Sequence, residues 1–136
     1  MRLTVILGLS LSVVTPASAD NIVGDAVILR TLDRVTATTQ DFTVPVGNTL
    51  DYGSLSVDVK HCEKKPPEEI PEAYAFLQIF EPKSEADIEA DAVLAEPRLI
   101  DGRTRLFSGW MLASKPAVSA LDHPVYDVWV LDCIKN

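Results

Sequence analysis

Lysine and arginine are scarce in this chain: 12 stand against 20 aspartates and glutamates in 136 residues, a formal charge of −8. No basic patch exists to neutralise phosphates, which sets nucleic-acid binding aside, and the same sign disfavours docking on anionic lipid headgroups. Long hydrophobic runs are also missing. The most apolar stretch, Leu3 to Val14, is well short of the ~20 residues that cross a bilayer. There is no glycine-rich phosphate loop and no dinucleotide fingerprint, and Ser108 lacks the flanking glycines of a G-x-S-x-G elbow. Histidine and cysteine number two each, and none of the close C-x-x-C or H-x-x-x-H spacings of a zinc site occurs.

What is present begins with a leader. Residues 1–19 carry Arg2, the apolar run and the small-x-small triplet Ala17-Ser18-Ala19 before Asp20, the pattern of a secretory signal peptide cleaved after Ala19. Residues 20–136 then form a single domain of 117 residues, and losing the one charge at Arg2 takes the formal charge from −8 to −9. Cys62 and Cys133 both remain after export. In an oxidising compartment an even pair reads as a disulfide, which for a loop of this length stabilises by roughly 4 kcal/mol on the chain-entropy model.

Period-two alternation organises the rest. After a mobile lead-in at Asn21–Asp25, Ala26–Leu32 reads as a strand, and Val35–Val46 as another with Phe42, Val44 and Val46 on one face. Pro45 marks a sheet edge or a strand end. In Leu55–Cys62 the apolar side is Leu55, Val57 and Val59, and parity adds His61 to it. Cys62 falls on the polar side with Ser56, Asp58 and Lys60, so reaching the core requires a bulge or a strand end at His61. Glu63–Glu72 holds three prolines among charges and reads as an exposed, stiff connection. Tyr74–Phe80 is apolar on both faces, as in a strand covered twice or facing an interface.

Residues 83–97 change character: acidic and alanine-rich, they read as a short helical or disordered insertion, with Ser84 placed as a cap. Asp101-Gly102 is the best hairpin signal. In Arg105–Leu112, Phe107 and Met111 share one face while Leu106, Trp110 and Leu112 share the other, and Gly109 points to a bulge or a close backbone approach. One helical turn at Ala117–Leu121 leads to the last strand, Val125–Cys133, with Val125, Trp129, Leu131 and Cys133 on one side and Tyr126, Val128 and Val130 on the other. The expected fold is all-β: a small antiparallel barrel or sandwich of about six to eight short strands.

A set of motifs then resembles a known family. Phe107 to Ser114 (FSGWMLAS), Pro116, Ser119-Ala120-Leu121, His123 to Trp129 and Asp132-Cys133 are similar to the exported Gram-negative family called domain of unknown function 2155. Leu29-Arg30-x-Leu32-Asp33, Phe42-x-Val44-Pro45-Val46-Gly47, Gly53-Ser54-Leu55, Cys62 and Pro66-Pro67-Glu68-Glu69 extend the likeness upstream. The resemblance implies export to the periplasm, a β-rich domain and two cysteines, and brings no activity.

Catalytic chemistry finds little to work with. A thiol nucleophile would pair Cys62 with the adjoining His61, or Cys133 with His123, and the same four side chains supply zinc-type ligands. A disulfide accounts for both cysteines more simply, so neither metal nor cofactor is expected. Asp127 and Asp132 are five apart and fall on opposite faces of a regular strand, which disfavours paired acid–base work. Trp110, Tyr126 and Trp129, with His123 at their rim, are either core or a partner-binding surface. The expected function is a non-catalytic periplasmic domain that binds a protein partner in the cell envelope, such as an accessory piece of a membrane complex. The alternative is a small-ligand-binding protein or an enzyme of unknown substrate.

Overall fold

Where apolar residues alternate, strands form and pair. The computed structural model describes residues 19–83, 86, 89, 99–100 and 102–136, so the leader and most of the acidic insertion at 83–97 lie outside the described residues. Among the described residues nine strands follow in chain order: β1 (Ile22–Val23), β2 (Ala26–Asp33), β3 (Thr38–Pro45), β4 (Thr49–Tyr52), β5 (Leu55–Lys64), β6 (Ala73–Pro82), β7 (Leu99–Ile100), β8 (Arg103–Leu112) and β9 (Tyr126–Ile134). Every pairing is antiparallel. One sheet has the order β1-β5-β6-β8-β7, with β4 also on β5, and the other is β3-β2-β9. The inner faces bury Val27, Leu29, Val128 and Val130 from the smaller sheet against Val57, Val59, Leu77, Ile79 and Met111 from the larger, forming a sandwich rather than a closed barrel. Each such side chain contributes about 1.5–3 kcal/mol when fully buried.

Two bulges decide where the cysteines point. In β5 the register against β6 shifts between Val59 and His61, so Lys60 is the extra residue. Beyond it the parity inverts: Cys62 turns fully inward, and His61 turns to the outer face. The simple alternation that assigned His61 to the apolar side is corrected by this bulge. In β9 the register against β2 passes from Asp132 opposite Ile28 to Val130 opposite Leu29, which leaves Leu131 as the extra residue. Cys133 thereby joins Val128 and Val130 on the buried face, not Trp129 and Leu131 as strict alternation has it. A one-residue shift reverses every side chain beyond it, so each bulge converts an outward cysteine into a core residue. The sulfurs end at disulfide distance, 2.11 Å, with the Cα atoms 5.8 Å apart, linking the two sheets.

The segment expected to be a mobile lead-in is instead built into the fold. Ile22 and Val23 pair with Lys64 and Glu63, Gly24 N–H donates to Cys62 O at 2.9 Å, and Asp25 N–H donates to Ile134 O at 2.7 Å. Gly24 lies against the sulfurs: a Cβ there would stand 2.1 Å from Cys133 Sγ and 2.8 Å from Cys62 Sγ. Gly109 is another correction. It pairs regularly with Leu77, and a Cβ there would meet only the Phe107 ring, at an ordinary contact distance of 3.6 Å, while the bulge near it falls at Leu106, opposite the Ile79–Phe80 step. Pro45 does end β3, an edge strand. Ile100 pairs with Arg103, and Gly102 takes a positive φ of 74° in the tight turn between them. Ahead of β9 a turn forms in which Val118 N–H donates to Lys115 O at 3.1 Å.

Candidate functional site

The four aromatic and histidine residues singled out from sequence do not form one surface. Trp110 precedes the inner-facing Met111 by one position and so points outward from the larger sheet, where it is 42% exposed. Trp129, between buried Val128 and Val130, points outward from the smaller sheet, on the far side of the sandwich. His123 and Tyr126 stack on each other at one end of the molecule, with ring centroids 5.3 Å apart and planes at 17°.

Around Trp110 the sheet register assembles a cluster. Phe76 lies directly opposite it across β6–β8, and His61 lies opposite Phe76 across β5–β6. The rings of His61, Tyr74 and Phe76 all meet the indole edge-on, at centroid distances of 5.8, 5.8 and 5.5 Å. A polar rim closes one side. His61 Nε2 bonds Glu63 Oε1 at 2.8 Å, and Asn21 Nδ2 donates to both Glu63 and the Tyr74 hydroxyl. The hydrogen bond from His61 first, and that from Asn21 second, hold the Glu63 carboxyl below its ordinary range. Edge-on packing of this kind is worth about 0.5–1.5 kcal/mol per pair beyond burial, so the cluster is rigid while the central indole remains accessible.

The His123 site is the opposite case, with its polar atoms committed. His123 is 8% exposed; its Nδ1 accepts the N–H groups of Val125 (3.1 Å) and Tyr126 (3.0 Å), and Nε2–H donates to Glu81 Oε1 at 2.7 Å. Ser54 Oγ donates to the same oxygen at 2.6 Å. A ring nitrogen that already accepts two backbone donors is not free to take a proton from a substrate. The group therefore orients Tyr126 and the entry to β9 instead of acting as a base.

The remaining chemistry dissolves in the same way. His61 and Cys62 point to opposite faces, so they form no nucleophile dyad, and His123 is engaged with Glu81. Asp127 is paired with Arg34, while Asp132 accepts Cys133 N–H at 2.7 Å. Among the described residues no group of three His, Cys, Asp or Glu side chains could hold a metal ion. Sequence reasoning missed Glu81, Ser54, Tyr74 and Phe76 as neighbours of these sites. The alternation Tyr74-x-Phe76 on a doubly apolar strand was the available signal; Glu81 and Ser54 had none, because they meet His123 only through long-range pairing.

A family model described as "Uncharacterized protein conserved in bacteria (DUF2155)" matches residues 27–133. An uncharacterized protein of Rickettsia prowazekii (strain Madrid E) is 26% identical over 102 residues, covering 75% of this chain but 56% of that protein's length. No solved structure matches.

Proposed function

Because this chain belongs to the DUF2155 family of uncharacterized proteins conserved in bacteria, whose name carries no activity, we propose a function from its surface: a non-catalytic domain, exported to the periplasm, that binds a protein partner of the cell envelope through the Trp110 cluster. The observation that carries the reading is an indole 42% exposed at the centre of three edge-on rings on the outer face of the larger sheet. Tryptophan and tyrosine held in place before binding are the residues that dominate interface energetics, since little side-chain entropy remains to be lost on docking. The leader pattern at 1–19 supports export, and the oxidising periplasm suits a Cys62–Cys133 bond.

Site-specific photocrosslinking in living cells tests this. A crosslinker at position 110 should yield one discrete adduct, and one at the exposed Val35 in the β2–β3 turn should not. Absence of an adduct at 110, or the same adduct from both positions, sinks the proposal. The Trp110→Ala variant should lose about 2 kcal/mol or more of partner affinity, the magnitude of an interface hot spot.

A further inference from the structure

At the end of the sandwich away from the cysteines, a hollow of 260 Å³ opens between the β2–β3 hairpin and the β4–β5 turn. We propose that it is a binding site for a single neutral, hydroxyl-rich ring, a sugar residue, separate from the Trp110 surface.

Its lining combines two tyrosines with uncharged polar groups and one carboxylate. Tyr52 and Tyr126 meet edge-on at 5.4 Å, and Thr36, Thr38, Gln40 and Asp33 stand around them. No lysine or arginine lines it, so an anionic ligand finds no counter-charge. The tyrosine carbons in the lining offer the apolar C–H groups of a sugar a surface to cover, while hydroxyl, amide and carboxylate groups satisfy its O–H groups. The volume lies below the ~300–1,000 Å³ of drug-sized pockets, which limits the ligand to about one ring.

Two features show that the hollow is held open by construction. Tyr126 is clamped in place: His123 stacks behind it, itself bound to Glu81, and Gly53 lies against its phenol. Gly53 has a φ of +57°, and a Cβ there would come within 2.4 Å of the Tyr126 hydroxyl oxygen, so the ring's position depends on glycine at that turn. The second feature is Ala37, the one non-glycine residue at positive φ (55°) among the described residues. That conformation costs an L-residue about 1–2 kcal/mol. It sets Thr36 and Thr38 on either side of Ala37 with their hydroxyls 3.0 Å apart at the hollow's rim. The His123–Glu81–Ser54 group, of which only His123 is buried, thereby acquires a role as the support for Tyr126.

The test is an amide chemical-shift titration of the purified protein with N-acetylglucosamine and, separately, with its soluble tetrasaccharide. Saturable shifts are expected at Thr36, Thr38, Gln40, Tyr52, Gly53 and Tyr126, with a dissociation constant on the order of millimolar, as suits one ring and a few hydrogen bonds. The exposed-surface variants Gln40→Ala and Thr38→Val should each weaken binding about 3–10-fold without moving Tm. Equal affinity for the two probes assigns the site to a free sugar, and tighter binding of the tetrasaccharide assigns it to a glycan chain; both support the site. No saturable shift up to tens of millimolar, by order of magnitude the weakest useful range, overturns the proposal, and so do shifts centred on Trp110. Neither negative result touches the crosslinking test of the Trp110 surface.

Discussion

Replacing Gly24 with alanine should damage this domain more than any other single methyl group, and the structure says by how much. The added Cβ would sit 2.1 Å from Cys133 Sγ, 2.8 Å from Cys62 Sγ and 2.9 Å from the Ile134 carbonyl oxygen. None of these can yield freely, because both sulfurs are fully buried and the carbonyl already accepts Asp25 N–H. The chain has two escapes. It can repack locally, at the ~1–3 kcal/mol of an overfilled core. Or it can forgo closing the cysteine pair, which gives up about 4 kcal/mol of loop constraint. The expected loss is therefore roughly 2–4 kcal/mol. For a chain of this size that lowers Tm by about 8–16 °C, taking ~2.1 cal/mol/K of unfolding entropy per residue.

Thermal unfolding followed by circular dichroism measures the loss, and a second cycle isolates its cause. In a Cys62→Ala/Cys133→Ala background the sulfurs are gone, so Gly24→Ala should cost little beyond that background's own deficit. Wild-type stability for Gly24→Ala, or an undiminished cost in the sulfur-free background, would refute the packing argument.

Three further outcomes follow from named contacts. Glu81→Gln leaves buried His123 Nε2–H with an amide oxygen in place of a carboxylate; weakening a charge-assisted bond should cost about 1–2 kcal/mol in urea unfolding and perturb the Tyr126 ring resonances. At Glu72, burial pushes the carboxyl up, but hydrogen bonds from the Ser114 hydroxyl and N–H and from Ala73 N–H outweigh it and hold the group below its ordinary 4.5. A depressed carboxyl stabilises above its unfolded value and loses that contribution as pH falls through the folded one, so the protection of Ser114 N–H against hydrogen exchange, relative to the intrinsic rate at each pH, should fall only below pH 4.5. Arg34→Ala removes a pair with Asp127 at the surface, and thermal unfolding should show Tm almost unchanged, since solvent screens an exposed ion pair.

Local chemistry was legible in the sequence because local rules govern it. The strand cores at Ala26–Leu32, Leu55–Val59 and Tyr74–Phe80, the turn at Gly102 and the edge placement of Pro45 all follow from alternation and backbone restriction within a few residues. Cys62 even announced its own difficulty, since an outward parity conflicts with a core bond unless the strand bulges. The candidate surface was only half legible. Trp110 stood out as a rare residue, but its partners His61, Tyr74 and Phe76 come from two other strands, and Trp129 faces the other way.

The amino-acid sequence by itself determined an acidic, all-β domain with two cysteines and no span-length apolar run after the leader pattern, because composition and short-range periodicity suffice for those properties. The tertiary structure alone decided which face each residue takes beyond Lys60 and Leu131, why Gly24 lies against the sulfurs, and that His123 reaches Glu81 while Trp110 gathers three rings. The physical reason is register. A single extra residue in a strand inverts everything after it, and its position is set by the energy of packing two sheets together, which no local window contains.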